Sequence, residues 1–468
     1  MLKTSILQIR LSKKIDIFFL LVALCCAGKY LIVDNWSSHA DDFAPIYVAA
    51  QLVAEGKTAS LYDHHPYLFH IVPPGEFTET AKEIGFRGFL HPYVHLPLVS
   101  FLFHPLLFIP YGNMTKLLLL INFLAVILSF YLVLKLIGRG FNLRWFSIAI
   151  LAMTCFSPLR YGLWLGQTSP LIFLGITSLC YLAIAGYPKT SGFILGGIIS
   201  LKITPIIFLL YFLIRKKWSL VISSFITLTV IGVFSVLFMG WESNMIFLQN
   251  IIRLNGLSLA SWNNQSLDGF LLRWGTDAPH LYNWCLLKLT FNMKALKYFV
   301  LSSVFLLWLF ILLRSEDSNE KNRDLLDFSL TLILLVIFSP ISWSHYLLFL
   351  VFPYMVLWIR FIQNKAISYH RPMMGGLILS YACVSLPPSY FLALAKFPLR
   401  GLIDSYPGVG IPPSCLLVLA DFPLIDKIPL PVLSSSGFLG GILLIIIIFC
   451  IKLLSGKRAV VPRTPPDE

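Results

Sequence analysis

Long apolar runs, separated by short polar stretches rich in basic residues or proline, recur along almost the whole chain. The first runs from about Ile15 to Val33, behind Arg10, Lys13 and Lys14. Its length suits one helical crossing of a bilayer, which takes about 20 apolar residues. The basic residues place its start on the cytoplasmic side. Ile17 to Ala27 behind two lysines resembles a signal peptide, but no small-x-small cleavage pattern follows and the apolar character continues to Val33. The run therefore reads as an uncleaved signal-anchor helix. The next stretch, about 34 to 92, is too polar to cross and is predicted as an outer loop. Within it Ile46, Ala49, Ala50 and Val53 recur at helical spacing. Pro45 suits the first turn of that helix, and Gly56 and Lys57 end it. The pattern predicts a short amphipathic helix on the outer membrane surface.

Pro92 to Pro110 is apolar but carries His95, Pro97, His104 and Pro105. The position of Arg139 and Arg144 favours an interfacial or dipping segment over a crossing. Further spans are predicted near 115–137, 145–158, 168–186, 192–202, 204–214, 218–239, 296–313, 325–341, 343–361, 373–391 and 437–454. Thr204-Pro205 breaks the pair 192–202 and 204–214. The expectation is an all-α polytopic membrane protein of about 12 transmembrane helices in a single domain, 1–468. Both ends lie in the cytoplasm. Outer loops fall at about 34–114, 240–295 and 392–436, with a disordered tail at about 456–468.

Composition removes the alternatives. The 468 residues are 57% hydrophobic and 12% charged, against about 25% charged in soluble domains. The net charge of +14 sits mostly at span ends, so it reflects membrane orientation rather than nucleic-acid binding. The eight cysteines lie mostly in apolar runs without CxxC spacing. Cys285 and Cys415 fall in predicted outer loops, where a bridge between them is chemically feasible. His64, His65, His91 and His95 are scattered among prolines and tyrosines and give no metal-ligand spacing. No cofactor is implied.

Four polar clusters converge on the outer side in this topology: Asp41-Asp42, Gly166-Gln167, Asn263 to Leu267, and Ser342 to His345. Asp42 reads either as an acid before a helix or as a general base that takes a proton from a hydroxyl. His345 reads as an interfacial residue or as a hydrogen-bonding partner of phosphate or sugar. Lys202 lies in apolar sequence, where a charge costs roughly 2.5–3.5 kcal/mol. It either snorkels to the interface or pairs with an anion such as a lipid phosphate. Arg160 and Arg253 are weaker candidates for that role. Asn264 and Gln265 read as loop residues or as amides that bind sugar hydroxyls.

These stretches in order resemble glycosyltransferase family 87, the polyprenyl-phosphate-mannose-dependent mannosyltransferases of the GT-C fold. The resemblance rests on Asp42-Phe43 with Tyr47, Ala49-Ala50 and Leu61-Tyr62-Asp63, then Gly166-Gln167. It continues through Gly196-Gly197, Leu201 to Pro205, Arg215 to Trp218, Asn264 to Leu267, and Ser339 to His345. It implies a membrane enzyme that transfers one hexose, mannose, from a polyprenyl-phosphate donor to an acceptor glycan or glycolipid, with inversion. The reaction would take place on the outer face of a bacterial plasma membrane. Asp42 would be the general base, with Asp41 the neighbouring alternative, and His345 matches the family's histidine. Asp41, Tyr47, Gln167, Lys202, Arg253, Asn264 and Gln265 are the substrate-binding candidates. Two departures stand out. His91 to Pro97 replaces a Tyr-Pro-Pro-Leu-like stretch, and His345-Tyr346 replaces a histidine pair. The competing readings are a flippase for lipid-linked sugars, which should show matching broken spans in two halves, and a ligase or polymerase acting on lipid pyrophosphate-linked glycans.

Overall fold

The structure, a computed structural model, describes residues 2–62, 72–138, 143–253, 256–281, 284–314, 320–363, 370–386 and 428–455. Expectations for Asp63, His64, His65, Arg139, Cys415, most of the 392–436 loop and the tail fall outside these residues. Helix dominates the described chain. Its strands are two residues each, Leu257–Ser258 antiparallel to Leu287–Lys288.

Among the described residues, six helices are long and apolar enough to cross a membrane: Lys13–Asn35, Tyr111–Leu136, Trp218–Arg253, Phe291–Leu313, Ser344–Ile362 and Ser436–Leu453. The pair Leu143–Thr154 and Ser157–Trp164, bent by 65°, makes a seventh if it counts as one span. Several of the predicted crossings fold instead as shorter helices, Ser169–Ile184, Pro188–Leu201, Ile207–Ile214 and His370–Ser385. Proline in the first turn opens the first two of these, and Thr204–Ile206 forms a tight turn between the second and third. A 16-residue helix is about 24 Å long, short of the ~30 Å hydrocarbon layer.

Pro97–Phe103 is a seven-residue helix followed by one tight turn, so the 92–110 segment does not cross as a helix. It packs instead on the helix Ala44–Ala54. That helix starts and stops where the sequence predicts, with Pro45 in its first turn and Gly56 in a left-handed conformation just beyond its end. Its setting differs from the expectation. Ala44 to Ala50 and Leu52 are all buried, so it is enclosed rather than laid half-exposed on the membrane. Pro97–Phe103 and Glu76–Glu83 cover it. The amphipathic role passes to Glu76–Glu83, which buries Phe77, Thr80 and Ala81 and exposes Glu79, Lys82 and Glu83. Phe43, Tyr47, Tyr62, Phe77, Tyr93 and Tyr111 belong to the core of this membrane-proximal layer. A larger core runs among the long helices.

Two devices join the helices. The first is close backbone approach. Gly192 and Gly196, a GxxxG pair, face Trp218–Arg253. A Cβ on Gly192 would collide with the Leu220 carbonyl oxygen, and one on Gly196 would lie 2.6 Å from Thr227 Cβ. Small residues at this spacing let helices pack tightly where lipid provides no hydrophobic drive. The second is charge. Arg215 pairs with Asp324 at 2.6 Å, and Lys452 pairs with the fully buried Asp327 at 2.8 Å. These pairs lie at the far end of Ile207–Ile214 from Lys202.

Glycine to alanine normally stabilises a helix by about 1 kcal/mol. Gly197, with open space around its Cβ direction, should follow that rule. Gly192→Ala and Gly196→Ala should reverse it, lowering the unfolding temperature and the monodisperse fraction in detergent. Equal behaviour of all three variants would remove close packing as the cause.

Candidate active site

The loop between the first span and Ala44–Ala54 is fixed by the turn that ends Ser157–Trp164. Asp42 N–H donates to Leu165 O at 2.9 Å, and Ser38 Oγ donates to Trp164 O. Gly166 makes this approach feasible. Its φ is +68°, and a Cβ there would lie 2.5 Å from Ala40 Cβ and 3.0 Å from Phe43 Cβ. Gln167 follows in the turn. Its Nε2 donates to Asp42 Oδ2 at 2.5 Å, while its own carbonyl accepts from Asn122 Nδ2 at 2.9 Å. The second Asp42 oxygen faces His91 Nε2 at 3.4 Å. Tyr111 Oη donates to the His39 carbonyl at 2.5 Å and supports the loop from behind. The Asp42 side chain keeps 17% exposure, so the clamped carboxylate remains reachable.

Asp41, one residue earlier, is only 5% exposed and packs against Gly88. Burial, then the neighbouring Asp42 charge, push its pKa from 3.8 up to about 7, against a lowering hydrogen bond from the Phe89 backbone. The two adjacent carboxylates therefore differ in environment. One is buried and holds its proton easily, and the other is partly exposed and hydrogen-bonded.

Lys202 enters from the break between Pro188–Leu201 and the 204–206 turn, where its backbone is extended. Its Nζ lies 3.4 Å from the centroid of the Tyr346 ring. Among the described residues it forms no salt bridge, although the Asp42 carboxylate is within electrostatic range of both Lys202 and Tyr346. His345 is 3% exposed and sits edge-on to Tyr346, with centroids 4.6 Å apart. Neither of its ring nitrogens has a hydrogen-bond partner among the described residues. Lys202 and His91 both lie within electrostatic range of it. The structure thus gathers Asp42, Gln167, Lys202 and His345 into one cluster.

His91 is a member that sequence reasoning passed over, and desolvation lowers its pKa against the raising effect of Asp42. His95 is a further one. Burial, then Lys202, lower its pKa to about 4, and it hydrogen-bonds the Leu201 backbone. It ties the 91–96 loop to the end of the helix that delivers Lys202. The departure of His91 to Pro97 from the family pattern was the available signal.

Other candidates stand elsewhere. Tyr47 Oη donates to Ile109 O at 2.8 Å, and its ring packs on Phe43 and Tyr111, so it supports the loop. Asn264 and Gln265 are fully buried. Asn264 donates to Leu259 O at 2.9 Å and accepts from Ser342 N. Gln265 donates to Trp262 O and Ser434 O and accepts from Phe438 N. Both amides are engaged by the protein itself. Their segment pairs with 342–344 through Gln265 N to Ser342 O at 2.6 Å and Ser344 N to Asn263 O at 2.7 Å. That ladder sets the position of His345. Beneath it Arg273, 4% exposed, donates to the Ser261 and Asn264 carbonyls, both at 2.9 Å. Burial lowers its pKa to about 9, which leaves it charged at neutral pH. Arg253 is exposed in the last turn of Trp218–Arg253, outside this buried cluster. Arg160 lies over the Tyr30 ring at 5.6 Å.

The sequence model of glycosyltransferase family 87 matches residues 93–340. A Mycolicibacterium smegmatis protein, the polyprenol-phosphate-mannose-dependent alpha-(1-2)-phosphatidylinositol mannoside mannosyltransferase, is 23% identical over 254 residues. The aligned part is 53% of this chain and 54% of that protein, so the chain spans about half the length of this relative. The family match includes Gln167 and Lys202 and excludes Asp42 and His345, which join the site through the fold.

Two outcomes test the geometry. Gly166→Ala would force a side chain into a left-handed conformation, costing about 1–2 kcal/mol, and into Ala40 as well. It should lower stability and abolish any activity that depends on Asp42, whereas an active, stable variant would show that the turn does not set the loop. For Asp41 the native state holds the proton more tightly than the unfolded chain. Its contribution to stability is therefore full below about pH 4 and is lost as pH rises through about 7. The unfolding temperature of the wild type should fall further between pH 5 and pH 8 than that of Asp41→Asn.

Proposed function

The chain belongs to glycosyltransferase family 87, and on that premise we propose that it is a membrane glycosyltransferase that moves one hexose, mannose, from a polyprenyl phosphate to a glycan or glycolipid acceptor. The relative's dependence on polyprenol-phosphate-mannose and its phosphatidylinositol mannoside acceptor support that donor and a glycolipid acceptor. The site would face the periplasm of a bacterial plasma membrane. The supporting sign is the basic stretch of Lys13 and Lys14 at the start of the span Lys13–Asn35, which puts that end inside and the Asp42 loop that follows the span outside.

The observation that carries the reading is the meeting of a reachable carboxylate with a half-buried lysine that has no salt bridge among the described residues. Asp42 would take the proton of the acceptor hydroxyl as that oxygen attacks the anomeric carbon. The bond from that carbon to the phosphate oxygen breaks, and the polyprenyl phosphate leaves with an added negative charge. Lys202 would bind the phosphate and stabilise that charge, which counts for more in a low-dielectric site than in water. Gln167 and His91 hold the carboxylate, and preorganisation of this kind reduces what must move during reaction. Attack from the face opposite the leaving phosphate inverts the configuration. His345, whose two nitrogens have no partner among the described residues, would hydrogen-bond the sugar or the phosphate.

General base catalysis contributes about 10²–10⁴-fold. Asp42→Asn should therefore lower turnover at least about a hundredfold, with donor KM nearly unchanged, in membranes supplied with radiolabelled polyprenyl-phosphate mannose. Wild-type turnover in that variant would eliminate Asp42 as the base. Lys202→Met should raise the donor KM more than the acceptor KM. For the orientation, Ala59→Cys in a cysteine-free background should react with an impermeant thiol reagent in intact cells, and Lys217→Cys only after permeabilisation. The reverse pattern would turn the site to the cytoplasm.

A further inference from the structure

Beside the Asp42 cluster lies a wall of aromatic rings centred on Tyr161, which shares a small core with Leu165 and Leu281. Its ring is nearly parallel to that of Trp164, with centroids 6.3 Å apart, and lies 6.1 Å from Trp262 and 6.4 Å from His345. The wall is continuous with the proposed site. Trp164 is the last residue of the helix whose following turn, through Leu165 O and Gln167 Nε2, clamps Asp42. Gly162, in that helix, faces His345, and a Cβ there would lie in van der Waals contact with His345 Cβ at 3.4 Å.

The polar atoms of this wall carry the argument. Trp262 is 2% exposed and His345 3%. Among the described residues the Trp262 indole N–H, both His345 nitrogens and the Ser344 hydroxyl have no hydrogen-bond partner. A buried polar group left unsatisfied costs about 1–3 kcal/mol. The Asn264 and Gln265 amides beside them are engaged by the protein itself, whereas the Ser261 and Ser342 hydroxyls, like these groups, have no partner among the described residues. Donors and acceptors set beside flat aromatic faces match one ligand class. A pyranose ring offers an apolar C–H face to an aromatic ring and hydroxyls at its edge, and tryptophan suits it as an apolar body with one polar handle.

We infer that Tyr161, Trp164 and Trp262, with His345 and Ser344, form a pyranose-binding subsite adjoining Asp42. The inference rests on the proposed transfer reaction for its choice between two sources of the sugar, the one being transferred and the one that accepts it. Either would bring an apolar ring face and hydroxyls. The aromatic faces would hold the ring, and the Trp262 N–H and Ser344 hydroxyl would fix its rotation.

The test uses full-length protein in native membranes. Trp262→Phe keeps a ring and removes only the indole N–H donor, and Trp164→Leu removes a ring face. Both should accumulate to wild-type levels. Each should raise one KM, for the acceptor or for the donor, by about tenfold, the order expected for one lost neutral hydrogen bond or contact, with kcat within about twofold. A rise confined to the acceptor assigns the subsite to the acceptor sugar, and a rise confined to the donor assigns it to the transferred one. Unchanged KM values, or a loss of kcat alone, would overturn the subsite, leaving the wall as packing filled by water. Should the wild type transfer no sugar from any polyprenyl phosphate, the reaction reading fails separately. The subsite is then judged by saturable quenching of tryptophan fluorescence by methyl α-mannopyranoside. Quenching that weakens in Trp262→Phe would support it, and no saturable quenching would overturn it.

Discussion

The arrangement hangs on one close approach, the loop of residues 38–43 lying against the turn of residues 164–167. Backbone touches backbone there because Gly166 has no side chain and can adopt a positive φ. Two residues 125 positions apart, Asp42 and Gln167, then share a hydrogen bond. The carboxylate takes its position from the end of a packed helix, and the loop merely carries it. A functional group held this way is placed more accurately than one on an unsupported loop. Asn122, in the long Tyr111–Leu136 helix, holds the Gln167 carbonyl, so the position is referred in turn to a span of the bundle.

A second junction does the same for His345. Irregular backbone at membrane depth is tolerated only where protein or water satisfies its polar groups. The 260–265 and 339–344 segments meet that condition through each other, through the amides of Asn264 and Gln265, and through the Arg273 guanidinium. A buried cation bonded to carbonyls and one hydroxyl is costly by itself. It is retained where it satisfies several carbonyls that no helix can reach.

Much of this was legible in the sequence, and the limits have physical causes. Apolar run length and the Lys/Arg pattern announce a helical membrane protein, and Pro45 and Gly56 mark the helix 44–54 almost to the residue. Period and composition do not say what covers a helix, so that element was expected at the surface and is enclosed. Runs near 168–186 and 192–214 look like crossings by hydropathy alone. Their prolines and glycines act through local geometry, which shortens the helices. The chemistry-bearing residues Asp42, Gln167, Lys202 and His345 could be chosen by type, because a carboxylate or cation in apolar sequence is conspicuous. Which amides serve the backbone instead, as in Asn264 and Gln265, depends on partners far along the chain. His91 was overlooked because its partner, Asp42, is distant in sequence.

The buried pairs Arg215–Asp324 and Asp327–Lys452 bear on how the chain is made. Asp327 has no exposure, and the residue that meets it at 2.8 Å comes from the helix Ser436–Ser455, more than a hundred positions later. During synthesis the Glu320–Ile337 helix is therefore made with a carboxylate whose closest basic partner has yet to emerge from the ribosome. Until then Arg215, 3.9 Å from the other Asp327 oxygen, is the available counter-charge, or the acid stays protonated. Arrival of the last helix ends that provisional state. The Asp327 end of the bundle thus takes its closest counter-charge from the last helix described.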